Sequence, residues 1–260
     1  MKDKLHFVHG NGFPAMCYRQ ILKPLSEHFD CCFIDRVGHR EAFPVTDNWE
    51  FLIQEVIMSI ETQADAPVVA LGHSLGGLLS VLAAIKAPHL FKCVIMLDAP
   101  LINRFQALVI RWSKQWGFID RMTPAHRTRQ RRTHWATREE AFLYLKRRAL
   151  FKDFTELCLY DYIDYGMKKN EQGYSLRFDP RIELDIYRTI PHNTSQYEGL
   201  LRVPTVLIYG DHSHLIHQAE RRYMEKHYGI QAIEAHGSHV FPFEYPTETF
   251  AFIMHALKGL

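Results

Sequence analysis

No uninterrupted apolar run of about 18 residues occurs in this chain, which excludes a transmembrane helix. The charged start Met1-Lys2-Asp3-Lys4 passes directly into Leu5-His6-Phe7-Val8, with no leader-like apolar stretch, so a cytoplasmic location is expected. Charge of one sign is also scarce. The chain has 31 Lys plus Arg against 29 Asp plus Glu, a formal net charge of +2, which gives no global case for nucleic acid or an acidic membrane as partner. Cysteine is sparse and odd in number, and no Cys-X-X-Cys pair occurs among Cys17, Cys31, Cys32, Cys93 and Cys158. Buried free thiols are expected, not a disulfide framework. The sixteen histidines contain no His-Glu-X-X-His. There is no glycine-rich phosphate loop of the Walker or G-x-G-x-x-G type. Neither a metal nor a nucleotide cofactor is expected.

What is present is ordinary globular composition, 47% hydrophobic, over 260 residues, enough for one sizeable core. Short apolar runs read as strands: Leu5–Val8, Cys31–Ile34, Pro67–Leu71, Cys93–Leu97, Pro204–Tyr209 and Gln231–Glu234. Their composition is that of strands buried on both faces. Helical patterns lie between them at Tyr18–Glu27, Trp49–Thr62, Leu75–Lys86, Gln218–His227 and Thr247–Leu257. Repeated strand and helix predicts an α/β fold, a mostly parallel sheet of about six strands with helices on both faces. Chemistry then gathers in loops at the carboxyl ends of the strands.

The alternation breaks between Pro100 and Arg202, a stretch that is helical in pattern and poor in strands. Residues 1–99 and 203–260 are read as the core, and 100–202 as an inserted helical cap. Ten Lys and Arg from Arg121 to Lys152 face only Glu139 and Glu140. The preferred reading is a solvated basic face, with a membrane surface as the alternative. The cap aromatics and aliphatics Phe105, Leu108, Trp112, Trp116, Phe118, Trp135, Phe142 and Tyr144 are expected mostly to pack cap against core, some of them lining an acyl pocket.

One motif carries chemistry. Ala66-Pro67-Val68-Val69-Ala70-Leu71 leads into Gly72-His73-Ser74-Leu75-Gly76-Gly77, a G-x-S-x-G at a strand-to-helix turn. A serine on so sharp a turn presents its hydroxyl, and its neighbours must be small. A serine hydroxyl needs a base, and His239 stands in Gly237-Ser238-His239 after the last strand. His236 is the fallback base. His73 is read as a packing and hydrogen-bonding residue. The loop His9-Gly10-Asn11-Gly12 follows the first strand, where a backbone N–H can meet a developing oxyanion. The N–H groups of Asn11 and Leu75 are the expected donors.

In these motifs the chain resembles the α/β-hydrolase superfamily over essentially its whole length, and serine esterases and lipases in particular. His9-Gly10-Asn11-Gly12 is similar to the oxyanion loop of that family, and Asp35-Arg36-Val37-Gly38-His39 to its D-x-x-G-H loop. Gly72–Gly77 matches its elbow, and Gly237-Ser238-His239 with Glu244 and Pro246 its histidine loop. The resemblance implies a core that lacks the first two strands of larger members. It places the triad acid three residues after the glycine ending the penultimate strand, but that position is Ser213. Asp98, at the end of the strand after the nucleophile helix, is the preferred acid, and Asp211 the alternative. The expected activity is hydrolysis of a small-molecule carboxylic ester through an acyl-enzyme on Ser74, His239 and Asp98. Thioester, amide or C–C cleavage, a lipase at a membrane surface, and a non-catalytic ligand binder are the alternatives. Oligomeric state is not legible.

Overall fold

The computed structural model describes residues 2–260. In chain order come β1 (Lys4–Val8), α1 (Arg19–His28), β2 (Asp30–Phe33), α2 (Glu50–Gln63), β3 (Val68–His73), α3 (Leu75–Lys86) and β4 (Phe91–Leu97). A long excursion follows: α4 (Arg104–Gln115), α5 (Ile119–Met122), α6 (Ala125–Arg129), β5 (His134–Trp135), α7 (Arg138–Lys146), α8 (Glu156–Gly166), β6 (Met167–Asn170), β7 (Gly173–Leu176) and α9 (Pro180–Arg188). The alternation resumes with β8 (Thr205–Gly210), α10 (Gln218–Tyr228), β9 (Gln231–Ala235), α11 (Phe241–Glu244) and α12 (Pro246–Lys258).

Six strands form one parallel sheet in the order β2-β1-β3-β4-β8-β9. Successive side chains on a strand leave by opposite faces, so each strand feeds two cores. Leu5, Phe7, Leu71, Ile95 and Ile208 join Leu25 of α1 and Ile253 of α12 on one face. Val8, Ala70, Val94, Met96 and Leu207 join Ile53 of α2, Leu79 of α3 and Met224 of α10 on the other. This is the predicted doubly covered α/β sheet. The order reverses at β1, whose neighbours are β2 on one side and β3 on the other. The loops leaving β1 and β3 therefore diverge and leave a crevice, the usual ligand position in such sheets.

Two expectations need correction at the edges. β2 and β9 are edge strands, and neither is buried on both faces. Cys31 and Cys32, on β2, are consequently half-buried, whereas Cys17, Cys93 and Cys158 are buried; all five are free. The excursion is not purely helical either. β5, β7 and β6 form a three-stranded antiparallel sheet. Its hairpin Met167–Leu176 turns through Glu171-Gln172, with Gly173 opening β7 at φ 126°, and reads Lys-Lys-Asn-Glu-Gln-Gly across the turn. That polar run has no apolar alternation to announce a strand.

Aromatic residues other than those expected tie the excursion to the core. Phe13 of the loop after β1 and Phe243 of α11 meet Phe151, Phe154 and Tyr162, with ring centroids 4.6–6.3 Å apart. Of the residues expected to pack, Trp135 is buried, and Phe142 and Tyr144 are half-buried. Phe105, Leu108, Trp112, Trp116 and Phe118 are exposed instead: α4 buries its opposite face, through Ala107 and Ser113, and among the described residues no element covers this one. No helix among the described residues is long and apolar enough to cross a membrane.

Candidate active site

β3 passes into α3 through Ser74, whose backbone has φ 52° and ψ −116°. For a side-chain-bearing residue that is a strained conformation, held only because its surroundings over-determine it. Glycines make the turn possible: a Cβ on Gly72 would lie 2.3 Å from the Gly76 carbonyl oxygen, and one on Gly76 would lie 2.0 Å from that of Val8. The Ser74 N–H donates to the Leu97 carbonyl at 2.9 Å, which places the serine beside the end of β4. The residue that follows β4 is Asp98, also at positive φ, 45°.

Asp98 is fully buried, and each of its oxygens is engaged. Oδ1 accepts from the Gly210 N–H at 3.0 Å. Oδ2 accepts from Ser213 Oγ at 2.6 Å and from His239 Nδ1 at 2.7 Å. Burial alone would raise this carboxyl; the His239 hydrogen bond and charge, with those from Ser213 and Gly210, outweigh it and hold Asp98 below the usual carboxylate range. With Nδ1 donating to Asp98, the other ring nitrogen of His239 is left as the basic one. Among the described residues Ser74 Oγ has no hydrogen-bond partner and the His239 ring makes no bond to it, a separation common before substrate binds.

Asp211, the alternative acid, lies elsewhere. Its carboxylate accepts from the Gly237 N–H at 2.8 Å and faces His236 Nδ1 at 3.1 Å. His236, the fallback base, is thereby directed away from Asp98. Asp211, His212 and His236 bring three ligand atoms within 4.8 Å of one another at the surface. They come from two loops: Asp211 and His212 are neighbours in sequence, and the bond from Asp211 to His236 brings the third group alongside.

The β1 loop supplies the opposite wall. His9 is buried; burial lowers its pKa to about 4. Its Nε2 accepts from the Val37 N–H at 2.8 Å, fixing the D-x-x-G-H loop against the β1 loop. The Asn11 N–H donates to no protein acceptor among the described residues. The Leu75 N–H is the first of α3, one of the donors a helix cannot use internally. The Asn11 side chain is occupied, its Nδ2 donating to the Glu183 carbonyl at 3.0 Å. Glu183, on α9, also holds Arg131 at 2.6 Å in an ion pair adjoining Gly12, so the excursion touches the β1 loop directly.

A buried chain of hydrogen bonds joins these loops. His73 Nε2 faces the His239 carbonyl at 2.9 Å and therefore carries the proton. Its Nδ1 then accepts from Tyr18 Oη at 2.6 Å, and Tyr18 Oη accepts from the Gly10 N–H at 3.0 Å. Burial pushes the His73 pKa down to about 3, so the ring stays neutral and this polarity is fixed. Tyr18→Phe leaves the Gly10 N–H and His73 Nδ1 unpaired in a buried place, and should lower unfolding free energy by about 1–3 kcal/mol in urea titration. An unchanged midpoint would show that the bonds contribute nothing net.

Ser74, Leu75, Asn11, His239 and Asp98 are thus gathered at the carboxyl ends of β1, β3 and β4, and Asp211 is not in contact with His239. Sequence reasoning did not find the parts played by Tyr18, Ser213, Arg131 and Glu183. Only Ser213 carried a signal, as the residue standing where an acid was sought.

The sequence model of the alpha/beta hydrolase family matches residues 7–252. A curated relative, the monoglyceride lipase homolog of Monkeypox virus, is 31% identical over 110 residues, 39% of this chain and 40% of the relative. The chain therefore matches less than half the length of that relative. Among solved structures, an E-2-(acetamidomethylene)succinate hydrolase superimposes with a TM-score of 0.78 at 18% identity, covering 99% of this chain and 91% of that one. The thioesterase domain from the curacin biosynthetic pathway gives 0.73 at 17% identity, covering 97% and 91%. A peroxisomal alpha-beta-hydrolase from Saccharomyces cerevisiae gives 0.72 at 18%, covering 100% and 77%. At such identities the likeness is one of fold.

Proposed function

Since the chain belongs to the alpha/beta hydrolase family, we propose that it is a serine hydrolase cleaving a small-molecule carboxylic ester through an acyl-enzyme. The observation that carries this reading is the 2.7 Å bond from His239 Nδ1 to a buried Asp98, in a loop held against the serine elbow. A binding protein has no need of a buried carboxylate spent on orienting one surface-facing imidazole.

In the proposed reaction Ser74 Oγ attacks the ester carbonyl and its proton passes to His239 Nε2. The tetrahedral oxyanion is met by the N–H groups of Asn11 and Leu75. Collapse breaks the ester C–O bond, and His239 returns its proton to the departing alcohol. Water then repeats the sequence on the acyl-serine, with His239 again as base, and releases the acid. Asp98 holds the imidazole tautomer and stabilises the imidazolium. Residues 100–202 act as a cap, and Glu183 and Arg131 hold its α9 side against the β1 loop. The family resemblance of the viral relative named for monoglyceride lipase, over its 110 matched residues, supports an ester in preference to a thioester or C–C bond.

An organophosphonate probe tests the reading. One equivalent should attach, peptide mapping should locate it on Ser74, and hydrolysis of short soluble esters should be lost in step. A protein that folds and takes no label would be a binder on this fold.

A further inference from the structure

The outward face of α4 is unlike the rest of the surface. Phe105, Leu108, Trp112 and Trp116 recur at intervals of three, four and four, which places them on one side of the helix. Phe105 is 74% exposed, Trp112 66% and Trp116 71%. Phe118 and Met122 continue the exposed apolar surface past the Gly117 turn. Single exposed hydrophobics need no explanation, but a contiguous stripe holding two tryptophans marks a surface that meets something.

Charge says what it meets. From Arg104 to Arg129 the chain has six Lys and Arg and one acid, Asp120. Asp120 is committed to Arg188, Arg104 to Glu198 and Lys114 to Asp47. Arg111, Arg121, Arg127 and Arg129 have no acid within 4 Å among the described residues. A second copy docking by the same face would bring two equally basic, acid-poor patches together, since a two-fold interface pairs one patch with itself. A bilayer with anionic headgroups satisfies both features: indole rings rest at the headgroup level, Phe and Leu enter the acyl boundary, and guanidinium groups reach lipid phosphates.

We propose that α4 and the turn after it form a docking surface for anionic lipid bilayers. This departs from the solvated basic face read from the sequence, where the exposure of the stripe was not visible. α4 begins six residues beyond Asp98, so docking would hold the carboxyl edge of β4 close to the lipid surface. The proposal does not depend on the catalytic reading, and Ser74→Ala protein should dock as wild type does.

The test uses Ser74→Ala protein and vesicles of phosphatidylcholine with about one third phosphatidylglycerol, beside pure phosphatidylcholine. Protein should float with the anionic vesicles, and tryptophan emission should shift to the blue. That signal reports on Trp112 and Trp116, because the other tryptophans, Trp49 and Trp135, are 4% and 1% exposed. Trp112→Ser with Trp116→Ser should lower the partition coefficient at least about tenfold without changing the far-UV spectrum or melting point. Arg111→Gln and Arg121→Gln should each lower it about fivefold, and high salt should do the same to wild type. Equal binding to pure phosphatidylcholine, no binding to anionic vesicles, or binding indifferent to the tryptophan pair would each overturn the proposal. So would a dimer by sedimentation velocity that the tryptophan variant dissociates while vesicles go unbound, which assigns the face to a second copy.

Discussion

Ser74→Ala should reduce ester turnover by about 10⁵- to 10⁶-fold and abolish the organophosphonate adduct, while leaving the protein as stable as before. The size of the loss follows from the proposed route: without Oγ no acyl-enzyme forms, and the residual rate rests on substrate binding and the two N–H donors alone. The unchanged stability follows from the structure. Ser74 Oγ makes no hydrogen bond among the described residues, so its removal orphans no buried partner, and the change should fall within about 0.5 kcal/mol. The backbone strain at φ 52° is the same for alanine. A stopped-flow burst with a chromogenic ester and a urea titration check both halves. Residual turnover within tenfold of wild type would place the nucleophile elsewhere.

The elbow was legible because it is local. Its glycines are adjacent in sequence to the serine they serve, and α3 runs over Leu75–Lys86, the bounds that the sequence pattern predicts. The strands were legible for a similar reason, since interior parallel strands are continuous apolar runs. Contacts between distant segments were not. The bond from Ser213 to Asp98 spans 115 residues, and the Asn11 contact with Glu183 spans 172. Neither leaves a pattern in either segment. Tyr18 lies in a short turn before α1 among other apolar residues and reads as core, which it is; that its hydroxyl also bridges Gly10 and His73 depends on a fold already formed. The exposed stripe of α4 failed to show for the opposite reason. Its periodicity is that of a helix with a buried face, and sequence alone gives no sign of which neighbour is missing.

Asp98→Asn should cost about 10⁴-fold in turnover, and Asp211→Asn less than about tenfold. Both substitutions keep shape, so the difference reports on chemistry. At position 98 asparagine tolerates positive φ. Its amide oxygen can still accept from the Gly210 N–H, which directs its NH2 group toward Ser213 and His239. There the NH2 meets His239 Nδ1–H, donor against donor, and the ring escapes by moving its proton to Nε2. An Nε2–H imidazole no longer accepts the Ser74 proton, so the base is lost while the fold remains. At position 211 an asparagine oxygen can still accept from the Gly237 N–H, the bond that braces the histidine loop, and no contact with His239 exists to be lost. Ser213→Ala separates orientation from charge. It removes one donor from Asp98 and leaves the His239 bond, so turnover should fall by less than tenfold, with the carboxylate less strongly held in its ionised form. Loss of turnover at Asp211→Asn with Asp98→Asn near wild type would transfer the orienting role to the β8 loop, against the 2.7 Å bond on which the assignment of Asp98 rests.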